Sequence, residues 1–161
     1  MNRCFNITGC CNPQEHYMVN LDSRLAQIKE MVDKGQYFCI NHGQQYGKTT
    51  VLKALQAYLK EEYTVIRIDF QFISASEFAR ESVFVKALAR LLWSRYCGEM
   101  PSEIEEQIKQ IKQSLNHTEV DLFTVLSRWC AVSSKPIVLM VDEADHPGNS
   151  QTFLDFLAQL R

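Results

Sequence analysis

The sequence has little glycine and proline, six and four among 161 residues, with no collagen-like period and no linker-like stretch. It has no surplus of either charge. Lysine and arginine total 17 against 19 acids, a net charge of -2, so no global basic field draws the chain to nucleic acid. Long hydrophobic runs are missing too. The longest purely apolar run covers residues 137–141, far short of the roughly 20 residues that a membrane-spanning helix needs. The opening MNRCFNITGC carries one arginine with no apolar stretch behind it, unlike a secretory signal. These absences point to a cytoplasmic protein. Six cysteines are present, yet no C-x-x-C pair occurs, and Cys4, Cys10, Cys11 and His16 lack the spacing of a zinc site. In a reducing compartment they are expected to be small, partly buried thiols rather than disulfides.

What is present is globular composition, 46% hydrophobic and 22% charged, at a length that suits one core. Residues 1–20 show no strong period and read as an irregular lead-in; residues 21–161 read as one domain. LDSRLAQIKEMVDKG sets Leu21, Leu25, Ile28, Met31 and Val32 at helical spacing, with Gly35 as a C-terminal cap. QYFCIN, short and aromatic-rich, reads as a buried strand. KTTVLKALQAYLKEE follows as a helix with Val51, Leu52, Leu55, Tyr58 and Leu59 on one face. YTVIRIDF alternates β-branched residues and predicts a second strand.

Three helices come next: SEFARESVFVKALARLLWSRYC, then PSEIEEQIKQIKQSL with Ile104, Ile108, Ile111 and Leu115 aligned, then EVDLFTVLSRWCAVSS capped by Thr118. KPIVLMVDEAD is a third strand, apolar enough to be buried on both faces. NSQTFLDFLAQLR closes as a helix starting near Ser150. Alternation of this kind predicts an α/β fold with a parallel sheet and right-handed crossovers.

The stretch INHGQQYGKTT lies between the first expected strand and its helix. It nearly spells the phosphate-loop pattern G-x-x-x-x-G-K-[ST]. His42 holds the first glycine's place and Gly43 comes one residue late, where it can supply a positive φ. His42 is read as a tolerated, solvent-facing departure. Gly43, Gln44, Gln45, Tyr46 and Gly47 would wrap an anion in backbone N–H groups at the positive end of a helix. Lys48 would reach the β- and γ-phosphates, the Thr49 hydroxyl would coordinate Mg²⁺, and Thr50 would help hold the α-phosphate.

PIVLMVDEAD has the form of an apolar strand ending in two acids. Beside the first strand, its carboxyl end would reach the same crevice as the loop. Asp142 would then hold Mg²⁺, directly or through water, and Glu143 would orient water for attack on the γ-phosphate, as the catalytic group. The letters DEAD invite a helicase reading. However, DEAD-box loops resemble A-x-T-G-x-G-K-T, and HGQQYGKTT departs from that. A P-loop kinase is disfavoured because no acceptor-site motif or lid arginines are visible.

YFCINHGQQYGKTTVLKALQAYL, YTVIRIDFQ and KPIVLMVDEAD together resemble the bacterial AAA-like P-loop ATPases, close to their archaeal-type and STAND branches. Loops in those families often lack the leading glycine, and Gln44 stands where arginine is common. The resemblance implies a three-layer α/β/α P-loop NTPase core with a parallel sheet in the order 5-1-4-3-2, binding ATP and Mg²⁺. Lys48, Thr49, Asp142 and Glu143 carry over as nucleotide and metal residues. It also implies two strands after the second motif, a sensor residue and an arginine finger, none of which lies before Arg161. The sheet is therefore expected to be incomplete here, with hydrolysis confined to a longer relative. The alternative is a non-hydrolysing, nucleotide-dependent switch or interaction module. Partners beyond the nucleotide, whether further copies of the chain or another protein, are left unspecified.

Overall fold

The structure, a computed structural model, describes residues 4, 15–17, 19–40, 47–146, 148 and 150–160. They form an α/β arrangement of six α-helices and two strands, with two short 3-10 turns. The order is α1 (Asp22–Asp33), α2 (Lys48–Leu59), β1 (Thr64–Asp69), α3 (Glu81–Tyr96), α4 (Ser102–Gln113), α5 (Glu119–Val132), β2 (Ile137–Asp142) and α6 (Gln151–Gln159). β1 and β2 pair as a two-stranded parallel sheet. The chain divides into two compact units, Met1–Val65 and Ile66–Arg161.

In the first unit α1 packs against α2, and the periodic apolar positions do the packing. Leu25 and Ile28 on α1 and Val51, Leu55 and Leu59 on α2 are buried. Lys29 fastens the end of this pair. Its ammonium bonds Asp33 and Glu62, each at 3.0 Å, and lies 5.8 Å above the Tyr63 ring, whose hydroxyl donates to Asp33 at 2.6 Å. Gly35 takes φ 64 just past α1, as a C-terminal cap requires. In the lead-in, the described residues hold one isolated bridge, Cys4 to His16.

The expected strand at Gln36 to Asn41 is not formed. Residues 36–40 have no regular structure and Tyr37 is 69% exposed; Asn41 lies outside the described residues. Apolar content alone does not make a strand. The backbone groups need a ladder partner, and none pairs with this segment among the described residues.

The second unit holds the larger core. Phe70, in the 3-10 turn just after β1, sits among Phe78, Phe84, Phe153 and Phe156, with edge-on centroid separations of 5.2–6.2 Å. Ile104, Ile108 and Ile111 turn the apolar stripe of α4 into this core, while α3 packs on both α4 and α5. Thr118 caps α5 as expected, accepting from the Asp121 N–H at 3.4 Å.

Three details depart from the pattern. The long helix expected from Ser76 breaks at Arg80, which adopts an extended φ of -140° between a 3-10 turn and α3. The Glu77 carboxylate ends that turn's freedom by accepting from the Ser74 N–H at 2.8 Å. Leu115 falls beyond the end of α4 and is 48% exposed rather than aligned with the isoleucines. β2, expected to be buried on both faces, is mostly half-buried, because it has one strand neighbour among the described residues.

Candidate functional site

The loop residues expected to wrap the phosphates, Gly43, Gln44, Gln45 and Tyr46, lie outside the described residues, as does His42. The end of the motif is described. Gly47 has φ 75 and ψ 23, in the left-handed region, and α2 opens on the next residue, Lys48. A side chain at Gly47 would meet open space, so the demand for glycine is conformational. Lys48 is half-buried, Thr49 exposed and Thr50 half-buried.

Among the described residues no side-chain hydrogen bond at Gly47 caps α2, and the first turn of the helix holds no acid. A lysine at the positive end of a helix is electrostatically unfavourable by itself, by roughly 0.3–1 kcal/mol. It becomes favourable once an anion is added. The N–H groups of a helix's first turn point the same way as its dipole, which is how helix starts come to hold anions.

In the second unit, the two parallel strands both end in buried acids, Asp69 and Asp142. Asp69 turns onto the segment that follows it, accepting from the Gln71 backbone N–H at 3.1 Å and its side-chain amide at 2.7 Å. Asp142 is bound more tightly. One carboxylate oxygen lies 2.5 Å from an Arg67 guanidinium nitrogen, and the other accepts from the Glu143 N–H at 3.1 Å. Both members of that pair are more than nine-tenths buried. Tyr96 and Arg95 secure the backbone of Arg67: the Tyr96 hydroxyl lies 2.6 Å from its N–H, and Arg95 donates to its carbonyl at 3.3 Å.

Glu143 directly follows. Its φ of 54 makes it the left-handed non-glycine residue among those described, a strain on the order of 1–2 kcal/mol. It is half-buried, and its carbonyl accepts from the His146 N–H at 3.0 Å.

Compared with protein-family models, curated proteins and solved structures, the chain matches none. The site therefore has to be judged on its own residues. Thr49 is exposed beside Lys48 and carries the hydroxyl that a cation arriving on a phosphate would need. Asp142 does not suit a direct Mg²⁺ ligand in this arrangement: a guanidinium and an amide N–H already take its two oxygens. Among the described residues no group of three or more His, Cys, Asp or Glu side chains could hold a metal ion. No described helix is long and apolar enough to cross a membrane.

Gly47, Lys48, Thr49 and Thr50 thus fall together in the first unit, and Asp142 and Glu143 in the second. Sequence reasoning passed over Arg67. A signal was there: YTVIRIDF carries Arg67 and Asp69 two apart, on the same face of an otherwise apolar strand. A cation at a buried position demands a carboxylate, and the one it finds is 75 residues away.

Proposed function

We propose that the chain binds the triphosphate of ATP, with Mg²⁺ carried on the nucleotide, at the start of α2. The observation that carries this reading is Gly47 in the left-handed conformation, opening a helix on Lys48 with no acid in its first turn. Lys48 is the point charge for the terminal phosphates, Thr49 the hydroxyl for the cation, and Thr50 the neighbour of the α-phosphate. Gly43, Gln44, Gln45 and Tyr46 complete the cradle in this proposal. The resemblance of the two motifs to AAA-like P-loop ATPases supports the same assignment. The pairing of β1 with β2 agrees with the neighbouring places 3 and 2 in the implied strand order.

Binding without turnover is favoured by one further observation. The Asp142 carboxylate is held by Arg67, so the acid that would help fix the cation for hydrolysis is occupied. Glu143 keeps the position of a water-orienting carboxylate by motif alone. Titration of a fluorescent ATP analogue with Mg²⁺ tests the main claim. Lys48→Ala is expected to weaken binding at least tenfold, about 1.4 kcal/mol. Equal affinity of wild type and variant would remove the phosphate-loop assignment. A turnover assay with Glu143→Gln separates the two readings: a loss of measurable hydrolysis would establish an ATPase, and no hydrolysis in either protein supports the switch.

A further inference from the structure

A groove of about 370 Å³ crosses the second unit, formed by α3, the turn before it and the end of α4. Val83, Lys86, Ala87 and Arg90 lie at i, i+3, i+4 and i+7, hence on one face of α3. Val83 and Ala87 make an apolar floor with Leu115, the leucine that the end of α4 leaves 48% exposed. Arg80, Lys86, Arg90 and Lys112 supply four cations, and Glu77 is the one carboxylate in the lining. That carboxylate is engaged: it lies 3.1 Å from Arg90 and accepts from the Ser74 N–H and hydroxyl at 2.8 and 2.9 Å. Lys112 is placed 4.2 Å above the Trp93 ring. Arg80 and Lys86 have no side-chain partner among the described residues. A chain of net charge -2 therefore gathers unanswered positive charge along one apolar-floored groove.

We propose that this groove docks an acidic peptide segment of a partner protein, with an apolar residue set between carboxylates. Charge complementarity selects the sign of the ligand and the floor selects its apolar part. A free phosphate would use the cations and leave the floor idle. Single-stranded nucleic acid would need an open aromatic face for stacking, and the nearby Trp93 ring is covered by Lys112. The volume suits one or two anchoring side chains rather than a globular surface.

The test is fluorescence anisotropy of a labelled peptide, EDDLFEDE, titrated with the full chain. Saturable binding is expected, weakened about tenfold by Lys86→Glu and severalfold by Leu115→Ser, and falling with added salt. Lys86→Arg should retain affinity. Lys48→Ala should leave it unchanged, which keeps this result distinct from nucleotide binding. Because Lys86 has no side-chain partner among the described residues, its reversal is expected to leave the thermal melting midpoint unchanged. No saturable binding by wild type overturns the proposal, and so does equal binding by Lys86→Glu. Equal affinity for a peptide with serine in place of leucine and phenylalanine would reduce the groove to a charge patch. Displacement by oligo-dT at lower concentration than by the peptide would assign the groove to nucleic acid instead.

Discussion

At the start of α5, Thr118 and Asp121 bond each other's backbone, and Glu119 and Asp121 place two acids in the first turn. At the start of α2, a glycine in the left-handed region leads into Lys48. Among the described residues the positive end of α5 is answered by its own cap and acids, whereas the first turn of α2 carries no acid. α1, α3 and α4 follow α5 in carrying first-turn acids; α6 lacks one and instead begins at Ser150, whose hydroxyl donates to the Phe78 carbonyl at 3.0 Å. α2 and α6 are thus the described helices without a first-turn acid, and of these α2 is the one that opens on a lysine.

The largest expected effect sharpens the α5 side of this comparison, where acids are in excess. Glu119 is 3% exposed; one carboxylate oxygen accepts from Gln159 at 2.8 Å and the other has no partner among the described residues. Burial, with Glu81 and Asp155 adding like charge, raises its pKa from 4.5 to about 7. The folded state thus keeps a proton that the unfolded chain releases. Its stabilising contribution is complete below about pH 4.5 and is lost as pH rises through about 7. Glu119→Gln should remove that fall and be more stable than wild type near pH 8 in urea titrations. Identical pH slopes in the two proteins would contradict the assignment.

Gly47→Ala comes next. Alanine has room there but not the backbone preference, so a loss of about 1–2 kcal/mol is expected in denaturant unfolding. A neutral result would mean that α2 does not require the left-handed start. Thr118→Ala should cost about 1 kcal/mol by removing the α5 cap. Smallest is Lys48→Glu, which gives α2 the acid that α5 has. It should stabilise the chain by about 0.3–1 kcal/mol, an effect that added salt reduces. Destabilisation by that change would show that Lys48 is already answered inside the protein.

Much of this was legible in the sequence because it is local. Helical periodicity located all six helices, and Thr118, Ser150 and Gly47 marked where three of them begin. β1 and β2 were readable from β-branched alternation and a dense apolar run. What escaped depends on distant residues. The segment from Gln36 had strand composition but no ladder partner, which composition does not encode. Asp142 looked like a free metal ligand until Arg67 was found against it. Glu119 is also set by a distant residue: Glu81, 38 residues earlier, accepts its backbone N–H at 2.7 Å.

The contrast between the acid-bearing start of α5 and the lysine start of α2 can be tested in one measurement, the shift in unfolding stability on adding Mg-ATP to wild type and to Lys48→Glu. The variant is expected to fold at least as well as wild type, so a lost response is not a lost fold. Wild type should gain about 2.7 kcal/mol at a nucleotide concentration about a hundred times Kd, and Lys48→Glu should gain nothing measurable. An equal gain in both proteins would contradict the account, because the nucleotide would then be bound somewhere other than the start of α2.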